Sequence, residues 1–197
     1  MLSISREGVI PMAIELPFYR AKKASYQDFR EWFEGFDAVD WRDRDWRRAL
    51  GGALRNSVPE DRVAIANLLL DHGADASVVI DDDNINVLHV LFSGLADEHD
   101  FELEAPLLRR LLDGGADINL RSPRFGCPLE ALSWMAATDD DLQPFYDVVF
   151  ARPDIDMSAI INKHGSTLGE LLISTTRPDM TRRAEEYMER SGGKANR

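Results

Sequence analysis

Internal repetition is the feature that most constrains this chain. The phrase LLLDHGAD ends at Asp75, LLDGGAD ends at Asp117 and VVFARPD ends at Asp154, at intervals of 42 and 37 residues. A leucine in a short apolar stretch follows each phrase, and one more precedes the first. These landmark leucines are Leu50, Leu88, Leu129 and Leu168, spaced 38, 41 and 39 residues apart. Such spacing indicates a repeat protein, whose stacked units bury a core that one unit alone could not form.

Each unit contains the signals for two helices. A leucine-rich helix is expected to end at Gly73 in one copy and at Gly115 in another, because glycine readily adopts the left-handed conformation that ends a helix. An extended segment follows, and then a short helix opens at a polar residue or a proline. The leucine-rich helices are apolar nearly all round, which is typical of helices packed between neighbours.

The starts of the leucine-rich helices are predicted from local residues. Ser57 and Glu60 have the spacing of a capping box, in which a side-chain oxygen accepts from the backbone three residues on. Pro106, Pro144 and Pro178 are expected in first turns, where the missing N–H costs little.

The unit resembles the ankyrin repeat. The segment GADINLRSPRFGCPLEAL places Cys127-Pro128-Leu129-Glu130 where that family has Thr-Pro-Leu-His, and NVLH at 86–89 keeps the leucine and the histidine. The resemblance covers about residues 25–190. It implies that His89 donates a hydrogen bond to the backbone of a finger, the loop that projects between units. The family period is about 33 residues, so we assign the extra residues to the loop 93–106 and the finger 76–86.

These observations predict an all-α fold, an ankyrin-like solenoid of stacked helix pairs with short β-hairpin or loop fingers. We expect residues 1–24 to form an N-terminal cap or tail and residues 25–190 to form one array of about four repeats. Residues 191–197 are expected to be a disordered tail, because SGGKANR offers no apolar surface to bury.

The charge balance narrows the classes of partner. The chain of 197 residues has 23 Lys and Arg against 35 Asp and Glu, a net charge of −12. This charge repels nucleic acids and anionic membranes and attracts basic proteins, although it also serves solubility. The sequence shows no apolar run of membrane-spanning length and a single cysteine, so we expect a cytoplasmic protein that is monomeric when free.

The sequence offers little support for catalysis. Its four histidines and Cys127 show no metal-binding spacing, and the paired glycines lack the context of a phosphate-binding loop. Cys127 takes the threonine position of the repeat, where a small side chain packs or caps a helix. We therefore expect no catalytic residue, no metal and no cofactor.

Binding residues are expected on the concave face, which the fingers and short helices form in ankyrin arrays. Trp41 and Trp46 are candidate hot spots, although their alignment with Leu120 and Phe125 favours a semi-buried structural role. The charge of the fingers changes sign along the chain, because the second finger has aspartates and the third has arginines. The candidate partner-binding residues are Trp41, Asp43, Asp45, Trp46, Asp81, Asp82, Asp83, Arg121, Arg124 and Trp134.

Two classes of function remain open at this point. The first is a protein-binding module, most specifically an acidic inhibitor that resembles bacterial immunity proteins and neutralises a basic toxin, with a general ankyrin adaptor as the alternative. The second is an enzyme, a hydrolase that would use Asp and His in the concave groove. The scattered histidines favour the first class.

Overall fold

The computed structural model describes residues 16–36, 44–80, 83–93 and 98–192. This part of the chain is mostly helical and contains no β-strand, so the all-α prediction is confirmed. The helices are α1 (Pro17–Lys23), α2 (Tyr26–Phe33), α3 (Arg44–Arg47), α4 (Ala49–Ala53), α5 (Pro59–Asp71), α6 (Val87–Phe92), α7 (Phe101–Asp113), α8 (Pro128–Ser133), α9 (Gln143–Val149), α10 (Leu168–Ile173) and α11 (Pro178–Gly192). Among the described residues, two of the predicted fingers each contain an isolated antiparallel bridge, Ser122 with Gly126 and Ile160 with Thr167.

The helices form two rows. In the short-helix row, α1 contacts α4, α4 contacts α6, α6 contacts α8 and α8 contacts α10. In the long-helix row, α2 contacts α5, α5 contacts α7 and α7 contacts α9. Side chains extend this row to α11, since Arg183 bonds to Gln143 and pairs with Asp147 at 2.6 Å. Each helix thus buries its apolar surface against its counterpart in the next unit.

The core follows the repeat. Each of the four landmark leucines lies in a short helix and is at most 2% exposed. In the long helices, Leu69, Leu111 and Val148 share one position of the repeat, six residues before the aligned aspartates, and are at most 4% exposed. The alignment of the units from sequence therefore placed the core residues in the correct register.

The ends of the helices agree with the sequence in some places and differ in others. Gly73 and Gly115 have φ of 93° and 94°, as expected for residues that end helices. The first-turn positions of Pro144 and Pro178 are confirmed. Two predictions are wrong: Pro106 lies inside α7, which begins at Phe101 after Asp100 caps it, and Ser57 does not cap α5.

Polar side chains connect successive units at repeating positions. Near the ends of the long helices, Asp71 pairs with Arg110 at 2.6 Å and Asp113 pairs with Arg152 at 3.0 Å. A separate and fully buried ion pair joins Arg62 in α5 to Glu104 in α7. The buried pair fixes the relative position of its two units, because a charged group taken out of water requires its partner, whereas the two solvent-exposed pairs contribute little to stability.

The N-terminal helix α1 joins the short-helix row. Pro17 begins it, and Asn56 donates from its side chain to the carbonyl oxygens of Ala21 and Ala24. The approach of α1 to α4 is close, since a Cβ at Gly52 would lie 2.3 Å from the carbonyl oxygen of Phe18. Residues 17–23 of the predicted cap or tail are thus a packed helix. Residues 1–15 and 193–197 lie outside the described part, and α11 extends through the predicted tail boundary to Gly192.

The bond implied for His89 is present. Its Nε2 lies 3.0 Å from the carbonyl oxygen of Gly126 in the finger of the next unit. Because a carbonyl oxygen can only accept, Nε2 donates this hydrogen bond. Its Nδ1 lies 3.2 Å from the backbone nitrogen of Asn86. The side chain is 1% exposed, so this histidine joins a short helix to the neighbouring finger.

We predict that Gly52→Ala lowers the free energy of unfolding by about 1–3 kcal/mol, because the new methyl group would meet backbone. Gly51→Ala is the matched control, since its Cβ would meet only the movable end of the Ile80 side chain at 2.9 Å. Urea denaturation of both variants measures the difference. Equal stabilities would contradict the close packing of α1 against α4.

We predict that His89→Ala lowers stability by about 1–3 kcal/mol, because the buried N–H of Asn86 would lose its acceptor and the carbonyl of Gly126 would lose one of its two donors. In a domain of this size that change lowers the melting temperature by roughly 2–4 °C per kcal/mol. His164→Ala is the control, because His164 is exposed. Thermal denaturation of the two variants tests this role, and indistinguishable melting temperatures would refute it.

Candidate protein-binding site

The candidate site is built around Trp134, which follows the short helix α8. Pro128 opens α8, and the side chain of Glu130 accepts from the backbone N–H of Cys127 at 2.8 Å. The helix ends at Ser133, after which Met135 turns into the core with 5% exposure. Trp134 points the opposite way and is 77% exposed. The burial of its neighbour therefore holds this tryptophan at the surface.

A recess lies on each side of Trp134. The first, of about 620 Å³, lies toward α6 and is mostly apolar, with Phe92, Phe125 and Met135 in its wall. The second, of about 460 Å³, lies toward α10 and includes Leu171, Thr175 and Arg177. Trp134 lines both recesses. A partner could therefore bury both faces of the indole by placing side chains in the two recesses.

A second exposed apolar residue occupies the equivalent position in the next unit. Ile173 lies five residues after Leu168, just as Trp134 lies five residues after Leu129, and it is 38% exposed. We call Trp134, Ile173 and the two recesses the Trp134 surface. Sequence analysis missed Ile173, although the repeat alignment places it at the position of Trp134 in the next unit.

Two more predicted site residues lie at the margin of the Trp134 surface. Arg124 lines the first recess, and its guanidinium lies 5.0 Å from the centre of the Phe125 ring. Its Nη1 is 3.6 Å from a carboxylate oxygen of Asp83 in the preceding finger. Both side chains are more than half exposed, so a partner can exchange this ion pair for one of its own.

The remaining predicted residues lie elsewhere. Arg121 donates to the carbonyl oxygens of Ile160 and Ile161, so its guanidinium joins two fingers of the array. Trp46 packs among aromatic rings, with centroids 5.6 Å from Trp32 and 5.2 Å from Phe36. Asp45 lines a separate recess beside α1. Trp41, Asp43, Asp81 and Asp82 lie outside the described residues.

The charges around Trp134 are nearly balanced. The walls of the recesses contain the cations Arg124 and Arg177 and the anions Glu130 and Asp139. The whole chain, in contrast, has a net charge of −12. The apolar surface that could hold a partner is therefore distinct from the acidic groups that could attract it.

The groups that could support catalysis lie in separate surroundings. Burial raises the pKa of the Cys127 thiol to about 11, so the thiol stays protonated at neutral pH. His89 is bonded to a finger, whereas His99 lies 2.8 Å from the buried carboxylate of Glu104. His72 ends α5 with its Nδ1 2.8 Å from the carbonyl oxygen of Leu68. In the described ranges, no three His, Cys, Asp or Glu residues are grouped as metal ligands, and no helix is long and apolar enough to cross a membrane.

Comparison with known proteins concerns the fold. No protein-family model matches this chain, and no curated protein matches it. Among solved structures, this chain is similar to the crystal structure of a functionally unknown protein from Leptotrichia buccalis C-1013-b. The likeness covers 89% of this chain and 94% of that chain, with a TM-score of 0.69 and 21% sequence identity. At this identity, the resemblance shows a shared fold across most of both chains and nothing about activity.

Proposed function

We propose that this protein is a non-enzymatic protein-binding module, an ankyrin-like array that binds and inhibits a basic partner protein. The observation that carries the proposal is the exposure of Trp134 between two recesses. Tryptophan is enriched among the residues that dominate binding energy in protein interfaces, where such side chains fill desolvated pockets. A solvated indole at this position offers a partner a large apolar contact.

Three features support the ankyrin-like arrangement. The repeat has a landmark leucine in each unit, the helices contact their counterparts in two rows, and His89 bonds to the next finger. The fingers are also connected to one another, since Asn84 donates to the carbonyl oxygen of Arg121 at 2.7 Å. A surface made from several connected units is well suited to a folded partner.

The charge of the chain supports a basic partner. A net charge of −12 increases the rate at which a basic protein encounters the surface and disfavours nucleic acids and anionic membranes. Within this class, our specific proposal is an immunity protein that covers the active site of a cognate toxin in the cytoplasm. A general ankyrin adaptor is the second candidate. A neighbouring reading frame for a basic, toxin-like chain would favour the first.

A hydrolase that uses Asp and His in the concave groove is a weaker candidate. Hydrolysis requires a base and its orienting group near a common point. His72 and His99 lie in separate units of the array. His89 is engaged with Asn86 and Gly126 beneath the surface. These positions favour binding over catalysis.

We predict that Trp134→Ala weakens capture of a basic protein from the source cell at least tenfold, because the partner loses its apolar contact. Val58→Ala is the control, since Val58 is also exposed and apolar but lies before α5. The measurement is a low-salt pull-down with each protein, followed by titration of the recovered partner. Equal affinities for wild type and Trp134→Ala would place the interface elsewhere, and absence of any stoichiometric partner would count against the function.

We predict that neutralising Asp81, Asp82 and Asp83 together to Asn slows association with that partner, because opposite charge steers encounter. The dissociation rate should change less than in Trp134→Ala. Stopped-flow kinetics at increasing salt measure both rates. The difference in association rate between wild type and the triple variant should shrink as salt screens the charges. An association rate that is the same in both proteins at low salt would contradict steering by this finger.

A further inference from the structure

Arg177 lies between α10 and α11, and its side chain reaches the loop that carries Trp134. Nε donates to the carbonyl oxygen of Ser133 at 3.1 Å, and Nη1 donates to that of Ala137 at 2.9 Å. Nη2 donates to the carbonyl oxygen of Met135. One guanidinium therefore binds three alternate carbonyl oxygens on both sides of Trp134.

The carbonyl oxygen of Met135 also accepts from the backbone N–H of Ala137 at 2.9 Å, whereas Arg177 is the donor to the carbonyl oxygens of Ser133 and Ala137 in the described contacts. The last carbonyls of a helix lack partners within the helix, and a cation there is also favoured by the helix dipole. Many helices end instead with a glycine that turns the chain, but residues 134–138 are WMAAT. Arg177, from the following unit, supplies a hydrogen-bond donor to the end of α8, where the backbone after a glycine would otherwise supply one.

We propose that Arg177 is the positioning residue of the Trp134 surface and makes its geometry depend on the docking of the last unit. This inference rests on the proposed function, in which Trp134 is the main contact. A surface fixed before binding loses less conformational entropy when the partner arrives. The last unit is itself held by Arg183, which bonds to Gln143 of α9, so α11 supports the binding surface without contacting the partner.

The planar shape of arginine is essential to this role. Its guanidinium presents donors in a rigid fork, whereas a lysine ammonium is a single point of charge on a flexible stem. Arg177→Lys therefore keeps the positive charge and cannot reproduce the three bonds. The matched control is Arg182→Lys, because Arg182 is half exposed on α11 and pairs only with Asp179 and Glu186 in the described contacts.

The test uses the full chain labelled with 5-fluorotryptophan, which gives one ¹⁹F resonance for each of its four tryptophans. Trp134→Phe identifies the resonance of Trp134. We expect Arg177→Lys to shift or broaden that resonance and leave those of Trp32, Trp41 and Trp46 unchanged, whereas Arg182→Lys should change none. An unaltered Trp134 resonance in Arg177→Lys would overturn the proposal, and so would equal changes in all four.

A measurement on the unaltered protein covers the case in which Arg177→Lys fails to fold. The bonded Nε–H of Arg177 should exchange with solvent at least tenfold more slowly than the Nε–H of Arg182. Equal exchange rates would overturn the proposal.

A binding measurement separates this inference from the proposed function. With the basic protein recovered by wild-type capture, Arg177→Lys should dissociate about tenfold faster than Arg182→Lys. If the Trp134 resonance responds as expected while neither Arg177→Lys nor Trp134→Ala alters binding, the positioning role stands and the proposed interface fails. If Trp134→Ala weakens binding and Arg177→Lys does not, the interface stands and the positioning role fails.

Discussion

The structure depends on a constraint common to repeat proteins, which is that no single unit can bury its own apolar surface. The short helices α4, α6, α8 and α10 each have a buried leucine at the same position, and contact with the neighbouring short helices removes that leucine from water. The long helices bury their apolar surfaces against one another in the same way, in the second row. Fingers, loops and the exposed face occupy positions that follow from this stacking, so a site on one unit is shaped by its neighbour.

Apolar burial sets the spacing of the units, and polar bonds set their register. The buried pair of Arg62 and Glu104 is the clearest case, because removal of either partner would leave an uncompensated charge in the core. Nε of Arg62 also donates to the backbone carbonyl oxygen of Asn56 at 2.9 Å, and the side chain of Asn56 donates to the carbonyl oxygen of Ala21 in α1. These polar groups restrict neighbouring units to a small set of relative positions, whereas apolar contact alone would allow many.

The Trp134 surface shows how stacking can produce a candidate binding surface. The buried Met135 and the capped start of α8 orient Trp134 outward, and Arg177 of the next unit fixes the loop around it. Attraction and retention of a partner are then separable, since the acidic excess lies across the chain whereas the recesses are nearly neutral. In the function that we propose, charge governs how fast a partner arrives and the apolar contact governs how long it stays.

The sequence by itself determined the repeat, the all-α class, the buried landmark leucines, and the glycines that end α5 and α7. These features depend on local conformational preference and on a period that can be read along the chain. Only the tertiary structure decided that residues 17–23 form a packed helix, that Arg121 joins two fingers, and that Arg177 reaches the loop of α8. Those contacts join residues about 30 to 45 positions apart, and their partners are backbone carbonyls that every residue possesses, so no pattern of side chains in the sequence can reveal them.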